Sequence, residues 1–167
     1  MSAPVILKPD ALTQEAFAPF GNVIEIEGAK RILINEGTTE RFHGLATLDV
    51  GDQDGEAILS IFRASQRPMP INISMMERHP LGSQAFYPLN GENWLVVVSS
   101  APQPGPENLK AFLASKNQGV QYSKKVWHHP LLILQPNQDF IVADRSGPGE
   151  NLEECWFEDG ISAQIQL

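Results

Sequence analysis

Acidic, imidazole and amide side chains occur at close spacing within residues 77–91, which read ERHPLGSQAFYPLNG. Glu77 and His79 are two residues apart, so on an extended strand both side chains point to the same face. Gln84 follows them, and residues 88–91 predict a turn before the next apolar run. We therefore expect three polar side chains to converge on one cavity, where they could transfer protons or hold a ligand.

A second cluster of polar residues, VWHHP at residues 126–130, directly follows a predicted strand. Successive side chains of a strand point to opposite faces, so only one of His128 and His129 can share a cavity with the first cluster. We take His128 as that residue. Glu77, His79 and His128 are then the candidates for proton transfer, and the same three side chains could hold a metal ion.

The composition limits the classes of partner. A chain of 167 residues suits one domain with a sizeable core. Its net charge of -8 argues against a nucleic-acid or anionic-membrane partner, because both require a concentrated positive surface. The first residues do not read as a signal peptide, and the apolar runs are too short for a membrane helix. With Cys155 as its one cysteine, the chain fits a reducing cytoplasm.

Short apolar or alternating runs recur along the chain with turn signals between them, which is typical of an all-β barrel or sandwich. The predicted strands cover residues 23–26, 31–34, 45–50, 57–63, 71–76, 84–89, 94–99, 121–127, 131–134 and 140–143. Two stretches break this pattern and predict short helices. The first is residues 12–20, with Thr13 as the N-cap and Gly21 as the stop, and the second is residues 107–114 after Pro106.

The two polar clusters resemble the two motifs of the cupins, in which His, His and Glu ligands precede a Gly turn and a further His follows on a later strand. Glu77 stands in the position of the first His, His79 is the second, Gln84 replaces the Glu, and His128 is the His of the second motif. The resemblance implies a cupin-like double-stranded β-helix, or jelly-roll barrel. It would form one domain over residues 1–167 with one or two short helices.

More narrowly, the chain resembles the ureidoglycolate lyase family, which are cupin-like bacterial enzymes of allantoin breakdown. The matching segments are QEAFAPFGNVIE, INEG, ERFHGLA, ERHPLGSQAFYPLNG, LKAF, QGVQY and VWHHPL. The resemblance implies cleavage of (S)-ureidoglycolate to glyoxylate and urea, in a homodimer that serves the use of purine nitrogen. It also implies a divalent metal as an aid, with nickel as the metal linked to the family.

Such a substrate presents a carboxylate, for which the planar fork of an arginine is the natural partner. Arg63 is the favoured candidate because it ends an apolar strand, where a charge requires a partner or a cavity. Arg41 is the other candidate and lies in a matched segment with Asn35, on a loop that could cover the site. Gln84 suits the ureido amide or an oxyanion, and Trp127 could form a wall of the pocket.

Three alternatives remain open from the sequence. A hydrolase acting on the same substrate would release ammonia and carbon dioxide instead of urea. A metal-dependent cupin oxidoreductase or isomerase is disfavoured by Glu77 and Gln84 at two ligand positions. A binding module that senses a small carboxylate would keep the arginine and require no acid or base.

Overall fold

The computed structural model describes residues 2–167, which form a mostly β structure with one short α-helix. The strands are β1 (Val5–Leu7), β2 (Asp10–Ala11), β3 (Gly21–Ile24), β4 (Lys30–Ile34), β5 (Thr39–His43), β6 (Glu56–Ser65), β7 (Asn72–Ile73), β8 (Met75–Arg78), β9 (Gln84–Pro88), β10 (Trp94–Ser99), β11 (Lys110–Ala114), β12 (Gly119–Tyr122), β13 (Trp127–His128), β14 (Leu132–Ile133), β15 (Asn137–Ser146), β16 (Glu153–Trp156) and β17 (Ala163–Ile165). The helix α1 spans Gln14–Phe17, and short 3-10 turns occupy Asn35–Gly37, Asp52–Asp54 and Pro106–Asn108.

The strands pair into three sheets and a separate ribbon. The front sheet has the order β3-β12-β9-β15-β6, and the middle sheet has the order β16-β8-β13-β10-β11-β2 with β14 also paired to β10. The outer sheet is β1-β17-β7. Strands β4 and β5 pair with each other in a two-stranded ribbon. The predicted all-β fold class is therefore confirmed, and the facing sheets agree with a jelly-roll arrangement.

Two hydrophobic cores lie on the two faces of the middle sheet. The first core, between the middle and front sheets, contains Trp94, Phe112 and Phe140. The second core, between the middle and outer sheets, contains Leu95 and Ile73. Because β10 is covered on both faces, its sequence WLVVVS is a continuous buried run instead of an alternating one.

The first predicted helix is confirmed but is shorter than residues 12–20. Thr13 caps it as predicted, since its hydroxyl oxygen accepts a hydrogen bond from the Ala16 amide at 3.1 Å. The helix ends early because Pro19 lacks the N–H that would continue the hydrogen-bond ladder. Gly21 then begins β3 instead of terminating the helix.

The second predicted helix, residues 107–114, is wrong. A 3-10 turn at Pro106–Asn108 leads directly into β11, which pairs with β10 on one side and β2 on the other. As a strand, KAFLA buries its apolar side chains in the cores on both faces of the middle sheet. This pairing with neighbouring strands outweighs the local helical pattern.

The predicted strands over the barrel are mostly confirmed, with three differences. Residues 121–127 are not one strand, because they divide between β12 in the front sheet and β13 in the middle sheet. Residues 45–50 form a loop instead of a strand, anchored where the Ser83 amide donates to the Asp49 carbonyl at 2.9 Å. Residues 71–76 divide at Ser74, so that β7 joins the outer sheet and β8 joins the middle sheet. In the described part of the chain, no helix is long and apolar enough to cross a membrane.

Gly21 is a position where the fold requires glycine. Its φ is +149°, and a Cβ there would lie 1.8 Å from the backbone oxygen of Gln121 on the neighbouring β12. We expect Gly21→Ala to lower the free energy of unfolding by more than about 3 kcal/mol, since backbone strain and a backbone clash add together. Urea unfolding followed by circular dichroism measures this loss.

Gly28 provides the matched control for that substitution. Its φ is +75°, but a Cβ added there meets open space. Gly28→Ala should therefore cost only the conformational penalty of about 1 kcal/mol. If Gly21→Ala and Gly28→Ala lose the same free energy of unfolding, the close approach of the β12 backbone is not the reason that position 21 requires glycine.

Candidate active site

The site is formed where β8 and β13 lie side by side in the middle sheet. The two strands are antiparallel, and His128 is directly opposite Glu77. Residues opposite each other in such a pair point to the same face, so the two side chains from separate clusters meet. His79 follows the end of β8, and its ring centroid lies 5.2 Å from that of His128.

Glu77, His79 and His128 form a compact group of potential ligands. One nitrogen or oxygen atom from each lies within 4.8 Å of the others. His128 Nε2 is 3.6 Å from Glu77 Oε1, just beyond hydrogen-bond distance. The predicted meeting of these three side chains is what the structure shows.

Backbone carbonyls orient both imidazole rings. His79 Nδ1 is 2.8 Å from the Asn151 carbonyl oxygen, and His128 Nδ1 is 3.0 Å from that of Val126. The carbonyl oxygen accepts a hydrogen bond from Nδ1–H, and in the neutral ring this leaves the lone pair on Nε2. Metal-binding histidines are held in this way, with one nitrogen on the metal and the other on a carbonyl.

The donor set fits a metal ion. His128 Nε2 is buried and has no hydrogen-bond partner among the described residues, although a buried polar atom normally has one. Two imidazoles and one carboxylate suit a divalent first-row metal such as nickel or zinc. Glu77, His79 and His128 are therefore a group that could hold such an ion.

Gln84 completes the polar surface of the site, as predicted. Its Oε1 is 3.0 Å from His79 Nε2, and its Nε2 donates to Asp144 Oδ2 at 3.0 Å. Because Asp144 accepts from the amide nitrogen, it fixes the oxygen of Gln84 toward His79. Both ring nitrogens of His79 thus face oxygen acceptors, an arrangement satisfied by a proton on each nitrogen or by a cation at Nε2.

The surroundings of Glu77 keep it ionised. Burial raises the pKa of Glu77, but interaction with the His128 ring and the weaker influence of His79 and His129 outweigh it. The pKa of Glu77 therefore lies below its ordinary value. At neutral pH the site presents a carboxylate.

Tyr122 holds the His128 ring from the front sheet. The two rings are stacked, with centroids 4.1 Å apart and planes 8° from parallel. Burial raises the pKa of Tyr122, and the charge of Glu77 raises it further. Tyr122 is thus a neutral phenol that restricts the rotation of His128.

A cavity of about 490 Å³ opens at this group. Its volume lies in the range of small-molecule sites. The lining residues are Phe62, Arg63, Ala64, Ser65, Arg67, Glu77, Gln84, Phe86, Pro130 and Leu131. The cavity therefore extends from Glu77 and Gln84 to β6, and two arginines, Arg63 and Arg67, also line it.

The two arginines of the cavity differ in their partners. Arg63 makes two hydrogen bonds to Asp139, at 2.8 and 3.1 Å, and its side chain is 74% exposed. Arg67 makes no salt bridge or side-chain hydrogen bond among residues 2–167. The positive charge of Arg67 nevertheless affects the ionisation of His129. Burial lowers the pKa of His129 to about 4, opposed by the hydrogen bond to Pro130, and the charge of Arg67 lowers it further.

Three residues predicted to bind substrate lie away from the cavity. Asn35 and Arg41 are exposed on the β4–β5 ribbon, where Asn35 Nδ2 donates to the Thr39 hydroxyl at 3.3 Å. Trp127 points to the opposite face of β13, in the second core, with the Arg78 guanidinium 4.5 Å above its ring. Alternation along β13 directs His128 inward and Trp127 outward.

Sequence reasoning missed three residues of the site. Arg67 follows β6 in the segment SQRPMP, where the basic side chain at a strand end was the available signal. Asp144 follows the predicted strand 140–143, where an acidic residue is most often solvated, but it lies within β15 and bonds Gln84. Tyr122 carried no signal, because a tyrosine at the end of a strand is most often part of the core.

Comparison with known proteins identifies the family of the chain. The family model described as ureidoglycolate lyase matches residues 4–164. The chain belongs to the ureidoglycolate lyase family. A ureidoglycolate lyase of Brucella melitensis biotype 2 is 54% identical over 153 residues, which cover 92% of this chain and 90% of the relative. The family assignment made from the sequence is confirmed.

Relatives from other bacteria show the same extent of similarity. The ureidoglycolate lyase of Burkholderia cepacia is 52% identical over 159 residues, covering 95% of this chain and 90% of the relative. That of Pseudomonas paraeruginosa is 51% identical over 154 residues, covering 92% and 91%. The similarity therefore spans the segments that contain both polar clusters.

Solved structures with a similar backbone include two sugar isomerases. A 3,4-ketoisomerase from Helicobacter canadensis gives a TM-score of 0.43 at 12% identity, covering 77% of this chain and 84% of that chain. The QdtA 3,4-ketoisomerase from Thermoanaerobacterium thermosaccharolyticum, as a double mutant with TDP, gives 0.45 at 15% identity, covering 78% and 84%.

Proposed function

We propose that the chain is a ureidoglycolate lyase, which cleaves (S)-ureidoglycolate to glyoxylate and urea. The observation that carries the proposal is the meeting of Glu77, His79 and His128 beside a cavity that Glu77 and Gln84 line, in a member of this family. The reaction breaks the bond between the hydroxyl-bearing carbon and the urea nitrogen. It requires a base for the hydroxyl proton and an acid for the departing nitrogen, and no water is consumed.

Glu77 is the proposed base. It lines the cavity and is ionised at neutral pH, because its pKa lies below the ordinary value. A positioned carboxylate within hydrogen-bond reach of the hydroxyl can accept its proton as the carbonyl of glyoxylate forms. His128 lies 3.6 Å from Glu77 and keeps the carboxylate in its charged form.

His79 is the proposed acid. Its Nδ1 is 2.8 Å from the Asn151 carbonyl oxygen and its Nε2 is 3.0 Å from Gln84 Oε1, so a hydrogen at either nitrogen meets an oxygen acceptor. A proton at Nε2 can pass to the urea nitrogen as the carbon–nitrogen bond breaks. Gln84 can then hydrogen-bond the ureido group, with its amide orientation set by Asp144.

The alternative role of Glu77, His79 and His128 is to hold a divalent metal, with nickel as the proposed ion, because an atom that binds the ion cannot also transfer a proton. When bound, the metal would supply Lewis-acid polarisation of the substrate hydroxyl and lower the pKa of that group. The support is the buried Nε2 of His128, which lacks a partner among the described residues, and the carbonyl-anchored Nδ1 atoms.

Arg67 is the proposed anchor of the substrate carboxylate. It lines the cavity with Glu77 and Gln84, and its guanidinium is not engaged by an acidic side chain of the described residues. Arg63 was the candidate favoured from the sequence, and its pairing with Asp139 makes it the less available of the two. A guanidinium binds a carboxylate through two parallel hydrogen bonds, which would also orient the substrate.

We further propose one cupin-like domain over residues 1–167 that acts as a cytoplasmic homodimer. The middle sheet contributes to both cores, which supports a single domain. A chain with one cysteine fits a reducing compartment. Its net charge of -8 makes nucleic acid and anionic membranes unfavourable partners.

Product analysis tests the activity. Purified protein is given racemic ureidoglycolate, and glyoxylate and urea are both measured above the spontaneous decay. We expect equal amounts of glyoxylate and urea. Activity that falls in chelator and returns with added Ni²⁺ would assign Glu77, His79 and His128 to metal binding, and activity unchanged in chelator would assign Glu77 and His79 to proton transfer. Ammonia in place of urea would identify a hydrolase instead, and the absence of any enhancement would contradict the proposal.

A further inference from the structure

The ten-residue strand β6 is an uncovered edge of the front sheet. It pairs with β15 along one side, and in residues 2–167 no strand pairs with its other side. Leu59 and Ile61 on its outward face are 72% and 66% exposed, and Ile58 and Phe62 on the inward face are also exposed. Strands that are apolar on both faces are typically covered on both sides.

Natural proteins protect an exposed edge of this kind with lysine, proline, a bulge or a covering element. The sequence of β6, EAILSIFRAS, contains neither lysine nor proline, and its ladder with β15 runs without a bulge from end to end. The edge is therefore open to another strand, and its apolar residues favour one of matching character.

The apolar surface continues across the outward face of the front sheet. Ile61 is opposite Ile141, which is opposite Tyr87 on the next strand. Leu59 is likewise opposite Ala143. The result is an apolar patch next to the free edge, and apolar patches of this kind mark protein interfaces.

The charged residues on the outward face of β6 and β15 are Arg63, Asp139 and Arg145, so this face has no excess of negative charge, although the chain as a whole carries a net charge of -8. Arg63 and Asp139 neutralise each other on neighbouring strands. The Arg145 guanidinium donates to the carbonyls of Asp52 and Pro148. A second copy of this acidic chain can therefore approach here with little of the repulsion that it would meet elsewhere.

The sequence of β6 is complementary to itself about Ser60. If two copies pair antiparallel around a two-fold axis at Ser60, Leu59 is opposite the partner's Ile61, and Ile58 is opposite the partner's Phe62. Each apolar side chain then meets an apolar side chain on the same face. A two-fold interface requires this self-complementarity, and the small Ser60 meets its own copy on the axis.

We propose that two copies of this chain associate through β6, so that their front sheets join into one continuous sheet. This inference specifies the surface of the homodimer proposed above and does not depend on the lyase activity. Phe62 and Arg63 also line the cavity, so the partner strand would stand beside its opening. Dimerisation would thereby narrow the cavity mouth and help to exclude water from the reacting groups.

Ile61→Asp tests the surface, with Ile26→Asp as the matched control on an exposed isoleucine elsewhere. By light scattering, the parent and Ile26→Asp should each show twice the 18.4 kDa mass of one chain. Ile61→Asp should show the mass of one chain, with an unchanged circular dichroism spectrum. A dimeric Ile61→Asp would overturn the surface, and a monomeric parent would overturn the homodimer itself.

A cysteine crosslink tests the register independently of any effect on folding. In a Cys155→Ser background, Ser60→Cys places one thiol next to its own copy, within the reach of a disulfide. Mild oxidation should convert most of this variant to a covalent dimer, whereas Ile26→Cys should give only a trace. Equal crosslinking at the two positions would contradict pairing about Ser60, whatever the outcome of the lyase assay.

Discussion

Glu77→Gln should lower kcat by about 10²- to 10⁴-fold, the range of a lost general base. Glutamine keeps the size of the side chain and removes the negative charge that the site preserves through the lowered pKa of Glu77. Glu77 is also half-buried and directly opposite His128, so the substitution changes the chemistry at a fixed position. The measurement is steady-state formation of urea and glyoxylate at saturating substrate.

Glu158→Gln is the control for this loss, because Glu158 is an exposed carboxylate remote from the cavity. The control should retain the activity of the parent. Ligand binding by Glu77→Gln provides a second readout. If Glu77→Gln turns over substrate as fast as Glu158→Gln and the parent, Glu77 is not the base. If the parent binds ligand but does not turn it over, the chain is a sensor of a small carboxylate.

Arg67→Gln should raise KM by about 10- to 100-fold, since a hydrogen bond to a charged group contributes roughly 1.5–3 kcal/mol. The expected reason is loss of the guanidinium that anchors the substrate carboxylate. Most of the effect should appear in KM, because the anchor binds ground state and transition state alike. Initial rates over a range of substrate concentrations separate KM from kcat.

Arg63→Gln is the matched comparison in the same cavity. Arg63 is mostly exposed and bonded to Asp139, so its removal should leave both stability and KM close to those of the parent. If Arg63→Gln raises KM more than Arg67→Gln does, the anchor of the substrate carboxylate is Arg63. The sequence favours Arg63 because it ends an apolar strand.

The sequence predicted those parts of the site and of the fold that depend on local geometry. Glu77 and His79 share a face because a strand alternates with a period of two, and Thr13 caps a helix because its hydroxyl meets a free amide. The cupin-like resemblance brought His128 into the same group. Residue type and spacing were enough for these features.

Other features depend on contacts between distant segments, which local patterns do not encode. The segment KAFLA is ambiguous between helix and strand until β10 pairs with it. Asp144 reaches Gln84 only because β15 lies beside β9. The place of Arg67 in the cavity is set by where β6 ends, and the position of the β4–β5 ribbon keeps Arg41 and Asn35 away.

The middle sheet, covered on both faces, determines how motion is distributed around the site. Glu77 and His128 stand on this sheet, so displacing either strand disturbs two cores at once. The amide hydrogens of β10 should exchange with solvent only when the whole molecule unfolds, while the ribbon opens locally. The protein therefore holds Glu77 and His128 on the part of the fold that opens last, so the spacing of these two groups should persist until the whole molecule unfolds.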